Sequence, residues 1–304
     1  MGTELLAFWL RLELGRALRG VYKRPCEAHL DDLLLPNPRS LTRGGLELLR
    51  ASPEEWVLAP KVDGTRTLLV RGVFMRRAVL CAVGRRYDVA VLADEPCGED
   101  DGLVVVVDAE RAEGRYVAHD VFVLGRSSEP SRRAHAVRMA LLPRAVEALG
   151  APGVETKQFW PLHRAAEAAA GPGNDGLIFA RATEPVTFGS DPALLKWKPH
   201  AENTIDLLVE RRRCGAHLMR RASARSGNGR KPMLEVELAQ VPGQLPCVWE
   251  FRHDGTAWRP SRRRPDKNTA NSDYVIQQTE LNLHERVEIA EIAALSRVAA
   301  PAGN

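Results

Sequence analysis

A lysine stands in the run Ala59-Pro60-Lys61-Val62-Asp63-Gly64-Thr65-Arg66, at the mouth of an apolar segment. The pattern K-x-D-G-x-R joins a nucleophile, an acceptor, a backbone without a side chain and a cation. A lysine amine attacks phosphorus only when neutral, and an ordinary lysine is charged at pH 7. Burial and neighbouring cations favour the neutral form, and a metal on the phosphate makes the target electrophilic. In this reading Lys61 opens the strand Thr67-Leu68-Leu69-Val70. Asp63 accepts a ribose hydroxyl, Gly64 lets the backbone approach, and Arg66 holds phosphate. On these residues alone, a glycine turn beside a solvated lysine competes with that reading.

Five further strings bear chemistry. Val107-Asp108-Ala109-Glu110 ends an apolar run with carboxylates, which are costly there unless they meet a cation or a donor. Glu110 could accept from ribose or hold a metal, or be an ordinary strand-end charge. In Tyr116 to Phe122 an aromatic could stack on a base, worth about 1–3 kcal/mol; for Phe122 taken alone, the burial preference of phenylalanine favours core packing. Asn174-Asp175-Gly176 heads another apolar run, and Asp175 could bind a divalent cation. In Leu194-Leu195-Lys196-Trp197-Lys198-Pro199 the two lysines share one face of a strand, where they repel unless an anion such as a triphosphate lies between them. In Arg262 to Asn271, the residues Arg264, Asp266 and Lys267 suit an arm that grips β- and γ-phosphates and orients pyrophosphate. A solvated basic loop or an RNA patch is the alternative.

The surrounding elements must position these groups. The apolar runs 67–74, 78–83, 89–92 and 103–107 read as successive strands. Val104 to Val107 is apolar on both faces, hence central. Helical spacing marks 1–20, 131–149 (stopped by Gly150), an Ala-rich stretch at 161–170 and a final helix at about 283–299. Residues 21–55 read as loop, and an acidic loop runs from Asp94 to Asp101. Further strands fall at 116–124, 176–180, 194–197, 204–209, 233–240 and 247–252. Between Arg211 and Lys231 stand eight basic residues, no acidic one and three glycines, read as an RNA-tracking stretch or a disordered loop.

The chain has 304 residues and a net charge of +4, enough for two domains and compatible with a nucleic-acid partner. No run approaches the ~20 apolar residues of a membrane span. The five cysteines are scattered, without a C-x-x-C pair. Leu5 to Leu10 is interrupted by Arg11 and Glu13, which reads as an amphipathic helix rather than a signal peptide. Cys214 to Arg220 and Glu235-Val236-Glu237 are coincidental likenesses to a phosphatase loop and to triphosphatase glutamates.

Taken in order, the Lys61 run and these strings resemble the collinear motifs of the covalent nucleotidyltransferases, which comprise mRNA capping guanylyltransferases and ATP-dependent DNA and RNA ligases. L-K-W-K-P with the trailing Asn203-Thr204-Ile205-Asp206, R-x-R-x-D-K, and Lys157-Gln158-Phe159-Trp160 are similar to the capping branch. Ala270 departs from it, standing where those enzymes commonly carry proline. The resemblance implies an α+β fold: a nucleotidyltransferase (ATP-grasp-like ligase) domain with antiparallel sheets at 1–200, and an OB-fold domain with a C-terminal helix at 201–304. It implies GTP as substrate, Mg²⁺ or Mn²⁺, a Lys61–GMP intermediate and transfer to 5′-diphosphate RNA. Asp63, Gly64, Arg66, Glu110, Phe122, Lys196, Lys198, Arg264, Asp266 and Lys267 would bind the nucleotide; Asp175 and Glu110 would hold metal. The partners would be an RNA triphosphatase and a cap methyltransferase, with no membrane. The setting would be nucleus or cytoplasm, or a virion for a viral enzyme. An ATP-dependent ligase or an inactive nucleic-acid-binding relative are the rival readings.

Overall fold

Apolar residues alternate along the central strands so that each strand serves two cores, and this fixes the architecture. The computed structural model describes residues 3–18, 35–100, 102–171, 174–214, 217–229, 233–265 and 267–295. Along the chain run α1 (Thr3–Leu18), β1 (Pro36–Ser40), α2 (Arg43–Ala51), β2 (Trp56–Val62), β3 (Thr65–Phe74), β4 (Arg77–Val83), β5 (Val89–Pro96), β6 (Gly102–Ala112), β7 (Arg115–Leu124) and α3 (His135–Leu149). Then come β8 (Val154–Thr156), β9 (Trp160–Pro161), α4 (Ala165–Ala169), β10 (Asn174–Arg181), β11 (Gly189–Trp197), β12 (Thr204–Cys214), β13 (His217–Arg225), β14 (Leu234–Glu237), β15 (Cys247–His253), β16 (Trp258–Arg263), α5 (Asp273–Glu285) and α6 (Ile289–Ala294). The fold is α+β.

The chain forms two compact units. The first comprises Met1–Arg39, Leu48–Lys196 and Ile292–Asn304. It holds a six-stranded sheet in the order β5-β4-β3-β6-β7-β8 and a five-stranded sheet in the order β1-β11-β10-β2-β9. On one face of the larger sheet Leu68, Val70, Val106 and Phe122 pack with Leu6, Leu10 and Leu14 of α1. On the other, Leu69, Val105, Val107 and Val121 pack with Leu142, Ala145 and Leu149 of α3. Each of these Val, Leu and Phe side chains contributes about 1.5–3 kcal/mol when fully buried. Val105, Val106 and Val107 are fully buried, as a central strand requires. Gly150, with φ 63°, takes the left-handed conformation that ends α3.

The second unit comprises Ser40–Glu47 and Trp197–Glu291. Its antiparallel sheet runs β14-β13-β12-β15-β16. Numbered within the unit, that is third, second, first, fourth, fifth, the strand order of an OB-type barrel. Ile205, Leu207, Val209, Trp249 and Phe251 form its core with Ile276 of α5.

Several elements differ from the sequence reading. Lys61 lies near the end of β2 and does not open a strand; β3 follows a turn at Asp63-Gly64. The span assigned to loop contains β1 and α2. Gly44-Gly45 disguises α2, but Leu46 and Leu49 bury one side of it and the Thr42 hydroxyl accepts from the Gly45 amide at 3.2 Å. Asp94 and Glu95 belong to β5, not to a loop. Where the sequence offered a disordered loop from Arg211, its described residues include the ends of the antiparallel strands β12 and β13. The final helix is two helices, α5 and α6, with Arg286 in the left-handed region after the first. No described helix is long and apolar enough to cross a membrane.

Gly64 is required where it stands. A Cβ there would lie 2.6 Å from the Arg111 carbonyl oxygen and 2.9 Å from Glu110 Cγ. The close approach is thus to the protein's own β6. Gly64→Ala should therefore cost about 1–3 kcal/mol, as overpacking does, read as a lower denaturant midpoint.

Candidate active site

Within the first unit a cavity of about 260 Å³ lies between the two sheets. Lys61 reaches it from β2, Arg66 from β3, Asp108 and Glu110 from β6, His119 and Asp120 from β7, and His135 from the start of α3. Lys157 and Phe159 line it from the connection between β8 and β9. Ion pairs hold these residues in place. The Lys61 ammonium meets Asp175 Oδ1 at 2.7 Å. Arg66 Nε donates to Asp108 Oδ1 at 3.0 Å, its Nη2 donates to Asp108 Oδ2, and its Nη1 donates to the Pro36 carbonyl at 2.5 Å. His119 Nε2 lies 3.4 Å from Asp108 Oδ2.

These contacts set the protonation states. Burial alone would raise the Asp108 carboxyl, but Arg66 and His119 outweigh it and hold it well below the usual carboxylate range. Glu110 is pushed up, chiefly by burial and further by Asp108, against the pull of His119, Lys157 and Lys61. Burial, reinforced by Lys61 and Arg66, brings the Lys157 ammonium down to about 8. His135 is lowered to about 4, chiefly by burial. Its Nδ1 is buried without a partner, and its ring meets Phe159 edge-on at 4.7 Å.

His135 makes folding acid-sensitive. The unfolded chain takes up the imidazole proton near 6.5, the folded chain only near 4. The unfolded state thus binds more protons in that window, so stability falls as pH drops from 6.5 to 4. The loss should be on the order of 2–3 kcal/mol. Urea midpoints across this range should flatten in His135→Gln relative to wild type.

Two buried residues brace the wall. Arg138, 2% exposed, donates from Nε to Asp120 Oδ1 at 2.7 Å and from Nη2 to Asp120 Oδ2 at 3.0 Å. Its Nη1 donates to the Arg133 carbonyl at 2.7 Å. β-Bulges aim the neighbouring side chains. Val106 pairs with Val123 and Val107 with Val121, which leaves Phe122 as the extra residue. Asp108 pairs with Asp120 and Ala109 with Ala118, which leaves His119 extra in the same way.

The residues expected to act together are dispersed in the structure. Lys61, Arg66 and Glu110 line the cavity, and Asp175 joins them through Lys61. Asp63 and Gly64 form the β2–β3 turn. Phe122 is a correction: it is fully buried in the core, 5.3 Å from Phe188 between ring centres, and does not line the cavity. Lys196 lies in β11 and Lys198 just beyond it, with buried Trp197 between them. In the second unit Arg264 Nη1 donates to Asp206 Oδ1 and to Glu250 Oε2, both at 3.2 Å, and Lys267 Nζ donates to Asp206 Oδ2. Here these cations hold acidic residues of their own sheet. Asp266 lies outside the described residues. Among the described residues no three metal-ligating side chains gather. The oxygen donors Asp175 and Glu110 suit Mg²⁺ or Mn²⁺ only with phosphate and water completing the shell. Sequence reasoning assigned no site role to Asp108, His119, Asp120, His135 or Arg138; Lys157 and Phe159 were visible only as part of the K-x-F-W string.

No family profile matches the chain. The mRNA-capping enzyme subunit alpha of Schizosaccharomyces pombe is 53% identical over 38 residues, 12% of this chain and 10% of that protein. Among solved structures, mycobacterial DNA ligase D complexed with ATP is 17% identical, with a TM-score of 0.43 over 77% of this chain and 94% of that one. The ATP-dependent DNA ligase of bacteriophage T7 is 11% identical, with a TM-score of 0.42 over 74% of this chain and 96% of that one. Scores this low carry no functional weight. The resemblance of this chain, in its ordered motifs and in one short capping-enzyme segment, is to the covalent nucleotidyltransferases.

Proposed function

We propose that this chain is an mRNA guanylyltransferase acting through Lys61. The observation that carries the proposal is the gathering of Lys61, Arg66 and Lys157 in one cavity with the Glu110 carboxylate. Such a set recognises a polyanion bearing hydroxyl groups, as a nucleoside triphosphate does. Lys61 attacks the α-phosphorus of GTP: a P–N bond forms, the bond from the α-phosphorus to its bridging oxygen breaks, and pyrophosphate leaves. The terminal oxygen of a 5′-diphosphate RNA then attacks the same phosphorus, the P–N bond breaks, and the GpppN cap is complete. Arg66 has further donors beyond those given to Asp108 and Pro36, and they face phosphate or ribose. Glu110 accepts from ribose. Arg264, Lys267, Lys196 and Lys198 take the phosphate contacts that the resemblance assigns them, and the first two must then leave Asp206. A divalent cation held by Asp175 and Glu110 would neutralise phosphate charge when bound. An RNA triphosphatase would supply the diphosphate end.

Lys157 favours guanine over adenine. An ammonium only donates, so it matches the O6 acceptor of guanine and opposes the 6-amino donor of adenine. Incubation with radiolabelled GTP or ATP and metal tests this. Wild type should take covalent label from GTP. Lys157→Met, about isosteric but without donors, should lose at least tenfold in GTP labelling at limiting nucleotide, the order of one buried charge-assisted bond. Label from ATP alone would make the chain a ligase-type adenylyltransferase instead.

A further inference from the structure

Helix α1 is apolar on two opposite sides. Leu6, Leu10 and Leu14 are buried against the six-stranded sheet. On the far side Leu5, Phe8 and Leu12 are 52%, 59% and 40% exposed. A helix that is apolar all round is normally covered on both faces. The order of the exposed residues indicates what covers this one. Along α1 the exposed positions are Glu4, Leu5, Phe8, Leu12 and Arg16. Four of them, Glu4, Phe8, Leu12 and Arg16, form a single ridge at i, i+4 spacing. The ridge reads acid, apolar, apolar, base.

That order is its own complement under a two-fold axis. When two helices pack by their i±4 ridges, the ridges lie side by side. Running antiparallel, Glu4 of one copy meets Arg16 of the other and Phe8 meets Leu12, twice over. Running parallel, acid meets acid and base meets base. Among the described residues Arg16 is held only by Glu13, at 2.6 Å with Arg16 66% exposed, and such an exposed pair exchanges readily. Gly15 lies near the same face, where an added Cβ would meet nothing within 4 Å, so it leaves space for Leu5 of the second copy. We propose that α1 is a self-association surface, docking antiparallel on α1 of a second copy of this chain in a closed two-fold dimer. One helix pair buries well under the ~1,600 Å² of a stable interface, so the dimer is weak.

Sedimentation equilibrium of the 304-residue chain up to high micromolar concentration tests the proposal. Wild type should show a monomer–dimer equilibrium. Leu12→Glu should raise the dissociation constant at least about tenfold with an unchanged melting curve, because the residue is exposed. Glu4→Arg and Arg16→Glu should each weaken the dimer, and an equimolar mixture of the two should recover it as a heterodimer with both contacts matched. A wild type that stays monomeric throughout overturns the proposal. So does a mixture no stronger than either variant alone, or an α1 surface that binds lipid vesicles instead of itself.

Discussion

Lys61→Arg should abolish the covalent guanylate label that the proposed reaction predicts, leaving less than about one part in a thousand of wild-type label, the scale on which an essential nucleophile is lost. Arginine keeps the positive charge opposite Asp175, now met at 2.7 Å, so the cavity wall stays intact and the loss is chemical. A guanidinium is never deprotonated in proteins and cannot form the phosphoramidate. The experiment has a built-in rival, because Lys157 lines the same cavity with its ammonium brought down to about 8. A second lysine that becomes neutral so readily could itself carry the adduct. Mass spectrometry of the intact protein after incubation with GTP counts the guanylate, and peptide mapping assigns it. Label persisting in Lys61→Arg and mapping to Lys157 would move the nucleophile across the cavity. Label absent from both lysines in the wild type would end the guanylyltransferase reading.

How far the sequence led to this site depends on which physical signal each residue left. Val104 to Val107 was legible because an uninterrupted apolar run has few places to go except the middle of a sheet. The meeting of Lys61, Arg66 and Glu110 was legible because their motifs occur in order, although no periodicity predicts that β2 and β6 share a cavity. Phe122 and His119 were not legible. Each is the additional residue at a β-bulge, and a bulge reverses the face that alternation would assign. The outcome was that the aromatic expected at the base went into the core and a histidine took a place on the wall. Arg138 gave no signal, since an arginine in an amphipathic helix normally reads as solvent-facing. Its partner Asp120 lies in another element, so only the tertiary fold makes the pair. The same holds for Arg264 and Lys267: the motif identified them, but the carboxylates they meet, Asp206 and Glu250, come from two other strands.

Arg138→Met should be the most destabilising single change in the first unit outside its apolar core. The guanidinium is 2% exposed and gives two bonds to Asp120 and one each to the Arg133 and Glu184 carbonyls. Without it Asp120 retains the Val121 amide at 2.8 Å but has lost its neutralising charge in a site with little water. Breaking a buried pair from one side in this way costs about 3–5 kcal/mol, read as a shift of the urea midpoint. Removing both partners is a different experiment. Asp120→Val with Arg138→Met leaves no buried charge, and replacing such a pair with apolar groups is often close to neutral. The double variant should therefore recover most of the midpoint. Asp120 also lines the cavity, and Arg138 follows His135 by one helical turn. If the pair fixes the start of α3 against β7, the double variant will be stable yet slow to take up guanylate. Recovery of both stability and labelling would show that the pair braces the fold alone. Failure to recover stability would show that the hydrogen bonds of Arg138, rather than the stranded charge of Asp120, hold this wall together.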